Sequence, residues 1–147
     1  MATDPKLIQR FKCFADMSEE QVNAIAEISN SVCYLNDYTL FQEDDAAEWL
    51  YLLIEGEVGV YYRSPDTGEE WVDAVYHEEV LGCSGMVPPH RYNATERCLS
   101  DVEVLEIHME DLRRLIQKDP QIGLKLQDHI IKKLNDRILT LRHRGIS

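Results

Sequence analysis

The chain has 147 residues, of which 44% are hydrophobic, so it is long and apolar enough for one domain with a buried core. Its formal net charge of −12 is unevenly spread, with 6 Lys/Arg against 24 Asp/Glu in residues 1–111 and 9 against 3 in residues 112–147. An acidic body lacks the clustered cations that nucleic-acid binding requires, and no segment approaches the roughly 20 apolar residues of a membrane-spanning helix. We therefore expect neither a nucleic-acid partner nor a membrane partner.

The N-terminus and the cysteines indicate the compartment. The first residues contain no basic segment that leads into an apolar one, as an export signal would. The four cysteines form no CxxC pair and have no metal-ligand spacing. We therefore expect a cytoplasmic protein with reduced thiols.

The first predicted elements are helical. Ser18 and Gln21 have the spacing of a capping box, in which each side chain binds the backbone amide of the other residue. The apolar residues that follow have helical periodicity, which predicts a helix over about 19–29. Residues 1–30 are accordingly predicted to form N-terminal helices.

Residues 31–107 have the pattern of short strands. Four runs have strand length and composition, and turn residues separate them. The clearest turn is Ser64–Gly68, where proline presets φ and glycine permits a positive φ. A small barrel or sandwich of about eight strands is the expected fold. The four runs are Trp49–Ile54, Val58–Tyr62, Trp71–Tyr76 and Val102–Ile107.

Helical periodicity returns over residues 108–147. A short helix is predicted over Met109–Gln117, and a longer one begins at Asp119 and Pro120, the N-cap and first helical position. The long helix has two apolar stripes, too wide an arc for one contact. The stripe of Ile122, Leu126 and Ile130 is expected to pack on the barrel. The second stripe has Ile and Leu at the spacing of a parallel two-stranded coil, which predicts a homodimer seam. The seam comprises Gln127, Ile131, Leu134, Ile138 and Leu141.

Four segments, in their order and spacing, resemble one family. They are Tyr34–Asp45, Leu50–Val60, Asp101–Leu105 and Met109–Leu112. In this respect the chain resembles the cyclic nucleotide-binding domain, the sensor half of catabolite activator-type regulators. The resemblance implies a single domain over 1–147, mainly β with flanking helices, built as a double-stranded β-helix or jelly-roll β-roll. It also implies a long C-terminal dimerisation helix.

Two aspartates stand where the family prefers glycine. They are Asp37 and Asp44. Aspartate tolerates a left-handed turn better than most residues do, so the fold is expected to survive both changes.

The family's phosphate cassette is only partly matched. The resemblance implies backbone amides at Gly82–Gly85 that face a phosphate, a Glu for the ribose and an Arg for the phosphate. In register, Cys83 occupies the Glu position and Tyr92 the Arg position, while Arg91 lies one residue early. One step along a strand turns a side chain to the other face, unless a bulge restores it. The predicted ligand-binding residues are Gly82, Cys83, Ser84, Gly85, Arg91, Tyr92 and Asn93.

The resemblance implies a stand-alone regulatory module that senses a ligand, whereas the two missing anchors predict that it is not a standard cyclic AMP binder. The ligand would be a cyclic nucleotide or another small anion, although a phenol and an amide at Tyr92 and Asn93 suit a neutral or weakly anionic one. We expect no DNA-binding module after the long helix, and therefore expect output to pass through a protein partner. The resemblance also implies that a polar residue of the long helix closes over a bound base, and this position falls near Arg137.

Other activities find less support in the sequence. No acid, base and nucleophile are arranged for catalysis, so the chain is not expected to be an enzyme and needs no resident cofactor. A ligand-free dimerisation or protein-interaction domain is the main alternative. A haem sensor is a further alternative, with His77 and Cys83 as candidate axial ligands.

Overall fold

The computed structural model describes residues 3–76 and 78–143. Eight strands form two four-stranded antiparallel sheets, in the orders β1-β8-β3-β6 and β2-β7-β4-β5. The helices are α1 (Pro5–Gln9), α2 (Glu19–Glu27), α3 (Met109–Lys118) and α4 (Pro120–His143), with 3₁₀ turns at Lys12–Phe14 and Cys83–Met86. The strands are β1 (Ser29–Tyr34), β2 (Thr39–Phe41), β3 (Trp49–Glu55), β4 (Val58–Ser64), β5 (Gly68–Val75), β6 (Glu79–Leu81), β7 (Thr95–Cys98) and β8 (Val102–His108).

Strand β3 separates two hydrophobic cores. Leu50, Leu52 and Ile54 pack with the helices in one core, while Tyr51 and Leu53 belong to the core between the sheets. Successive side chains of a strand point to opposite faces, and here both faces are covered. This explains why the strand is apolar without alternation and confirms the mainly β fold with flanking helices.

The local turn and cap predictions are confirmed. The Ser18 hydroxyl accepts from the Gln21 amide at 3.2 Å, and the Gln21 side chain accepts from the Ser18 amide at 3.0 Å. The hairpin at 64–68 joins β4 to β5, and α4 begins at Pro120 after Asp119, as predicted. Asp37 and Asp44 adopt φ of 74° and 73°, so both take the left-handed turn.

Several element boundaries differ from prediction by one to three residues, and three of them have a clear cause. Helix α2 ends at Glu27 and β1 already begins at Ser29, because Ser29 pairs with Ile107 and its hydroxyl donates to the Ile25 carbonyl at 2.7 Å. Strand β5 begins at Gly68, since pairing with β4 continues to the turn. Helix α3 runs one residue further, to Lys118.

Helix α4 packs through two of the three residues of the predicted stripe, while Ile130 is only half-buried, and most of the other stripe is exposed. Ile122 and Leu126 are buried in the helical core. The seam residues Ile131, Leu134 and Ile138 are 65%, 49% and 55% exposed. Within residues 3–76 and 78–143, no helix is long and apolar enough to cross a membrane.

Candidate functional site

The cassette is a tight turn that opens a 3₁₀ helix. Gly82 lies at φ 82°, and a Cβ there would come within 3.1 Å of both the Trp49 carbonyl oxygen and the Tyr92 ring. At Gly85 a Cβ would lie 2.5 Å from the Cβ of Ala47. Both positions therefore require glycine, and the backbone of the cassette is held close against β3.

Tyr92 lies in the core between the sheets. It is buried, and its ring stacks on Phe41 with 3.9 Å between centroids. Its hydroxyl donates to the Trp49 carbonyl at 2.7 Å and accepts from the Trp49 amide at 3.1 Å. These two bonds anchor the phenol to β3, so Tyr92 is a packing residue.

The neighbours of Tyr92 lie on different sides of the chain. The exposed Arg91 donates from Nη1 to the Asp44 carbonyl at 2.6 Å, outside the roll. The backbone amide of Asn93 donates to the Ser84 hydroxyl at 3.2 Å and so connects the segment before β7 to the cassette. Arg91 thus supplies no charge to the interior in this structure.

A cavity of about 380 Å³ lies between the cassette and α4. Of the predicted ligand-binding residues, the structure brings four to its wall, namely Gly82, Cys83, Ser84 and Asn93. The rest of the wall is mostly apolar and comes from both sheets, the cassette and α4. Its apolar side chains are Phe41, Val75, Val80, Met86, Val87, Ile130, Ile131 and Leu134.

Two cations from α4 line the cavity, and both have partners. Lys133 donates to the Val80 carbonyl at 2.6 Å and lies 3.6 Å from Glu79. Arg137 lies 3.5 Å from Asp73 and donates to the Tyr62 hydroxyl at 3.5 Å. Arg137 therefore reaches the site, as the sequence predicted for a residue of the long helix.

The site also contains an acid that the sequence analysis missed. Glu96 on β7 lines the cavity, and its Oε1 atom is shielded from solvent without a hydrogen-bond partner. Burial raises the pKa of this carboxyl group to about 7, and Asp73 adds to the rise although Lys133 and Arg137 oppose it. The signal in the sequence is strand alternation, because Tyr92, Ala94 and Cys98 are all buried in the core and Glu96 lies in phase with them.

The candidate haem ligands are only partly placed. Cys83 lines the cavity, and burial raises the pKa of its thiol, so the neutral thiol is favoured. His77 lies outside the described residues. Among the residues that the structure describes, no group of three or more His, Cys, Asp or Glu side chains could hold a metal ion.

Comparison with known proteins identifies the family. The sequence model of the cyclic nucleotide-binding domain matches residues 32–119. The chain belongs to the cyclic nucleotide-binding domain family. It is a sensor-type domain homologous to regulators of the catabolite activator type.

Three relatives illustrate this placement. The transcriptional activatory protein AadR of Rhodopseudomonas palustris is 28% identical over 121 residues, which are 80% of this chain and 49% of AadR. The cAMP-activated global transcriptional regulator CRP of Salmonella typhimurium is 25% identical over 123 residues, 80% of this chain and 59% of CRP. A cyclic nucleotide-binding type protein of Geobacter metallireducens has the same fold, with a TM-score of 0.80 at 26% identity, covering 92% of this chain and 98% of that one. The chain spans about half the length of the curated relatives it matches.

The raised pKa of Glu96 predicts a pH-dependent stability. Between pH 4.5, the ordinary pKa, and about 7, the folded state keeps a proton that the unfolded chain releases, so stability falls as pH rises. Glu96→Gln removes this effect. We expect the variant to gain about 1–3 kcal/mol over the wild type at pH 8 and little at pH 4. Urea denaturation at both pH values measures the difference.

Glu70→Gln is the matched control, because Glu70 is exposed on β5 of the same sheet. It should change the free energy of unfolding equally little at both pH values. If Glu96→Gln also has the same effect at pH 4 and pH 8, the carboxyl group at Glu96 has an ordinary pKa.

Proposed function

We propose that this domain is a regulatory ligand-sensing module that binds a small molecule in the cavity between the cassette and α4. The observation that carries the proposal is that this cavity is open. Tyr92, the side chain best placed to fill it, packs on Phe41 instead. A ligand there would touch both the β-roll and α4, so its binding could change how the helix is held.

We further propose that cyclic AMP and cyclic GMP are not bound in the usual manner of the family. The position of the phosphate-binding Arg is Tyr92, whose hydroxyl is already bonded to Trp49. Arg91 bonds outside the roll. Losing a charge-assisted contact to a buried phosphate costs about 2–5 kcal/mol, which turns micromolar binding into millimolar binding.

Glu96, the acidic group in the cavity wall, also disfavours binding of a cyclic nucleotide. An ionised Glu96 repels a phosphodiester, and the cations that could offset it, Lys133 and Arg137, are engaged with Glu79 and Asp73. The cassette amides alone would then have to hold the phosphate. This supports a divergent pocket.

The two alternative functions, a ligand-free interaction domain and a haem sensor, would require different cavities. A ligand-free interaction domain would have its pocket filled by side chains, which the position of Tyr92 does not favour. A haem sensor would require an axial ligand, for which Cys83 lines the cavity as a neutral thiol. A Soret band in the purified protein would favour haem.

Isothermal titration calorimetry with cyclic AMP and cyclic GMP tests the divergent pocket. We expect no binding tighter than about millimolar, because Tyr92 occupies the position of the phosphate-binding Arg, and Lys133 and Arg137 in the cavity wall already have acidic partners. The CRP protein of Salmonella typhimurium serves as the positive control for cyclic AMP. Low-micromolar binding of either nucleotide to this chain would contradict the proposal.

We also propose that α4 forms the homodimer seam through which a signal reaches a protein partner. Ile131, Leu134 and Ile138 are exposed apolar residues on one stripe. Ile131 and Leu134 also line the cavity, so the seam and the ligand would share a wall. Ligand binding could thus alter the dimer.

Light scattering of Ile131→Asp or Leu134→Asp tests the seam. A charge in a paired apolar interface is costly, so we expect the mass to fall from dimer to monomer. Leu35→Asp is the matched control, because Leu35 is 74% exposed and lies in the turn between β1 and β2, away from α4. If the α4 variants keep the mass of a dimer, the proposal that α4 forms the homodimer seam is contradicted.

A further inference from the structure

We propose that Glu96 determines the ligand class of the cavity, which is a small, mostly apolar molecule with an uncharged or cationic hydrogen-bond donor. An anionic head group is disfavoured. This inference rests on the proposed function, because it concerns what the same cavity binds.

Glu96 has unmet hydrogen-bonding capacity. Its Oε1 atom is enclosed and has no partner, and no ion pair among the described residues includes its carboxylate. A buried acceptor without a donor costs free energy that a suitable ligand recovers. A hydroxyl, amide or ammonium group would supply the donor after a small rotation of the side chain. Above the raised pKa of about 7, where Glu96 is ionised, a carboxylate or phosphate would instead add a second negative charge.

The charged groups around Glu96, and the Ser84 hydroxyl, already have partners. Lys133 and Arg137 on α4 are bonded to β6 and β5, as described above. The Ser84 hydroxyl accepts from the Asn93 amide. Asp73 on β5 is the partner of Arg137. Glu96 is therefore the group in this wall with the clearest need for a ligand atom.

The remaining surface of the cavity is mostly apolar. Side chains such as Phe41, Val80, Met86 and Leu134 provide an apolar lining in a volume of about 380 Å³. Such a surface gains free energy by enclosing hydrocarbon, whereas a polar ribose would lose its hydration there. One donor on an apolar body satisfies both the wall and Glu96.

A matched set of probes tests this class. 1-Hexanol, hexylamine and hexanoate share one hydrocarbon chain and differ in the head group. Their binding to the full chain is followed at pH 8 by NMR chemical shifts of the methyl groups in the cavity. We expect 1-hexanol and hexylamine to bind the wild type at least about fivefold more tightly than hexanoate does. In Glu96→Gln that preference should fall to about twofold or less, while Glu70→Gln keeps it.

Each contrary result identifies what fails. A preference for hexanoate would overturn the inference and assign ligand choice to Lys133 and Arg137. Equal binding of all three probes, or an unchanged preference in Glu96→Gln, would overturn the role of Glu96 while leaving the cavity as the ligand site. No shift with any probe at millimolar concentration would overturn the inference too. The proposal that cyclic nucleotides are not bound in the usual manner is contradicted by a separate result, which is low-micromolar binding of a cyclic nucleotide.

Discussion

The attachment of α4 to the β-roll is the contact on which the site depends. Ile122 and Leu126 bury one stripe of the helix in the core with α1 and α2. Gly123 permits close approach to α3, because a Cβ there would lie 2.8 Å from Ile116. Further along, Lys133 and Arg137 connect the helix to β6 and β5 through hydrogen bonds and ion pairs. The helix thereby becomes a wall of the cavity, and without it the interior of the roll would be open on this side.

This attachment also shapes the electrostatics of the interior. The two cations of the wall, Lys133 and Arg137, pair with Glu79 and Asp73, which do not line the cavity. Glu96, the acid that does line it, has no ion-pair partner among the described residues. Burial then favours the protonated form of Glu96. This arrangement supports the proposal that the cavity does not bind a cyclic nucleotide in the usual manner of the family.

Much of the fold could be predicted from the sequence because its signals are local. The capping box at Ser18 and the sequence Asp119-Pro120 define helix starts by chemistry within a few residues. The two aspartates at left-handed turns are likewise local choices. The end of α2 was less predictable, because Ser29 joins β1 through pairing with a strand more than seventy residues away. Tertiary pairing of that kind leaves no mark in a short window.

The site was predicted only in part, for a related reason. The turn at Gly82 and Gly85 follows from backbone requirements, whereas the direction of Arg91 and Tyr92 depends on the register of one strand. The packing of Tyr92 on Phe41 joins residues far apart in sequence. Glu96 was overlooked because an acid in the inward phase of a strand breaks the hydrophobic pattern that defines that phase. Such a break is itself a signal of function.

Glu96 is a carboxyl group in the wall of the cavity whose Oε1 atom is enclosed and has no hydrogen-bond partner, and the account depends on this. The most direct test is the ¹³C chemical shift of the Glu96 side-chain carboxyl carbon, measured by NMR as a function of pH. The Glu96→Gln variant assigns the signal. We predict a titration midpoint near 7. A midpoint near 4.5, the ordinary value, would show that the carboxylate is solvated or paired and would contradict the account.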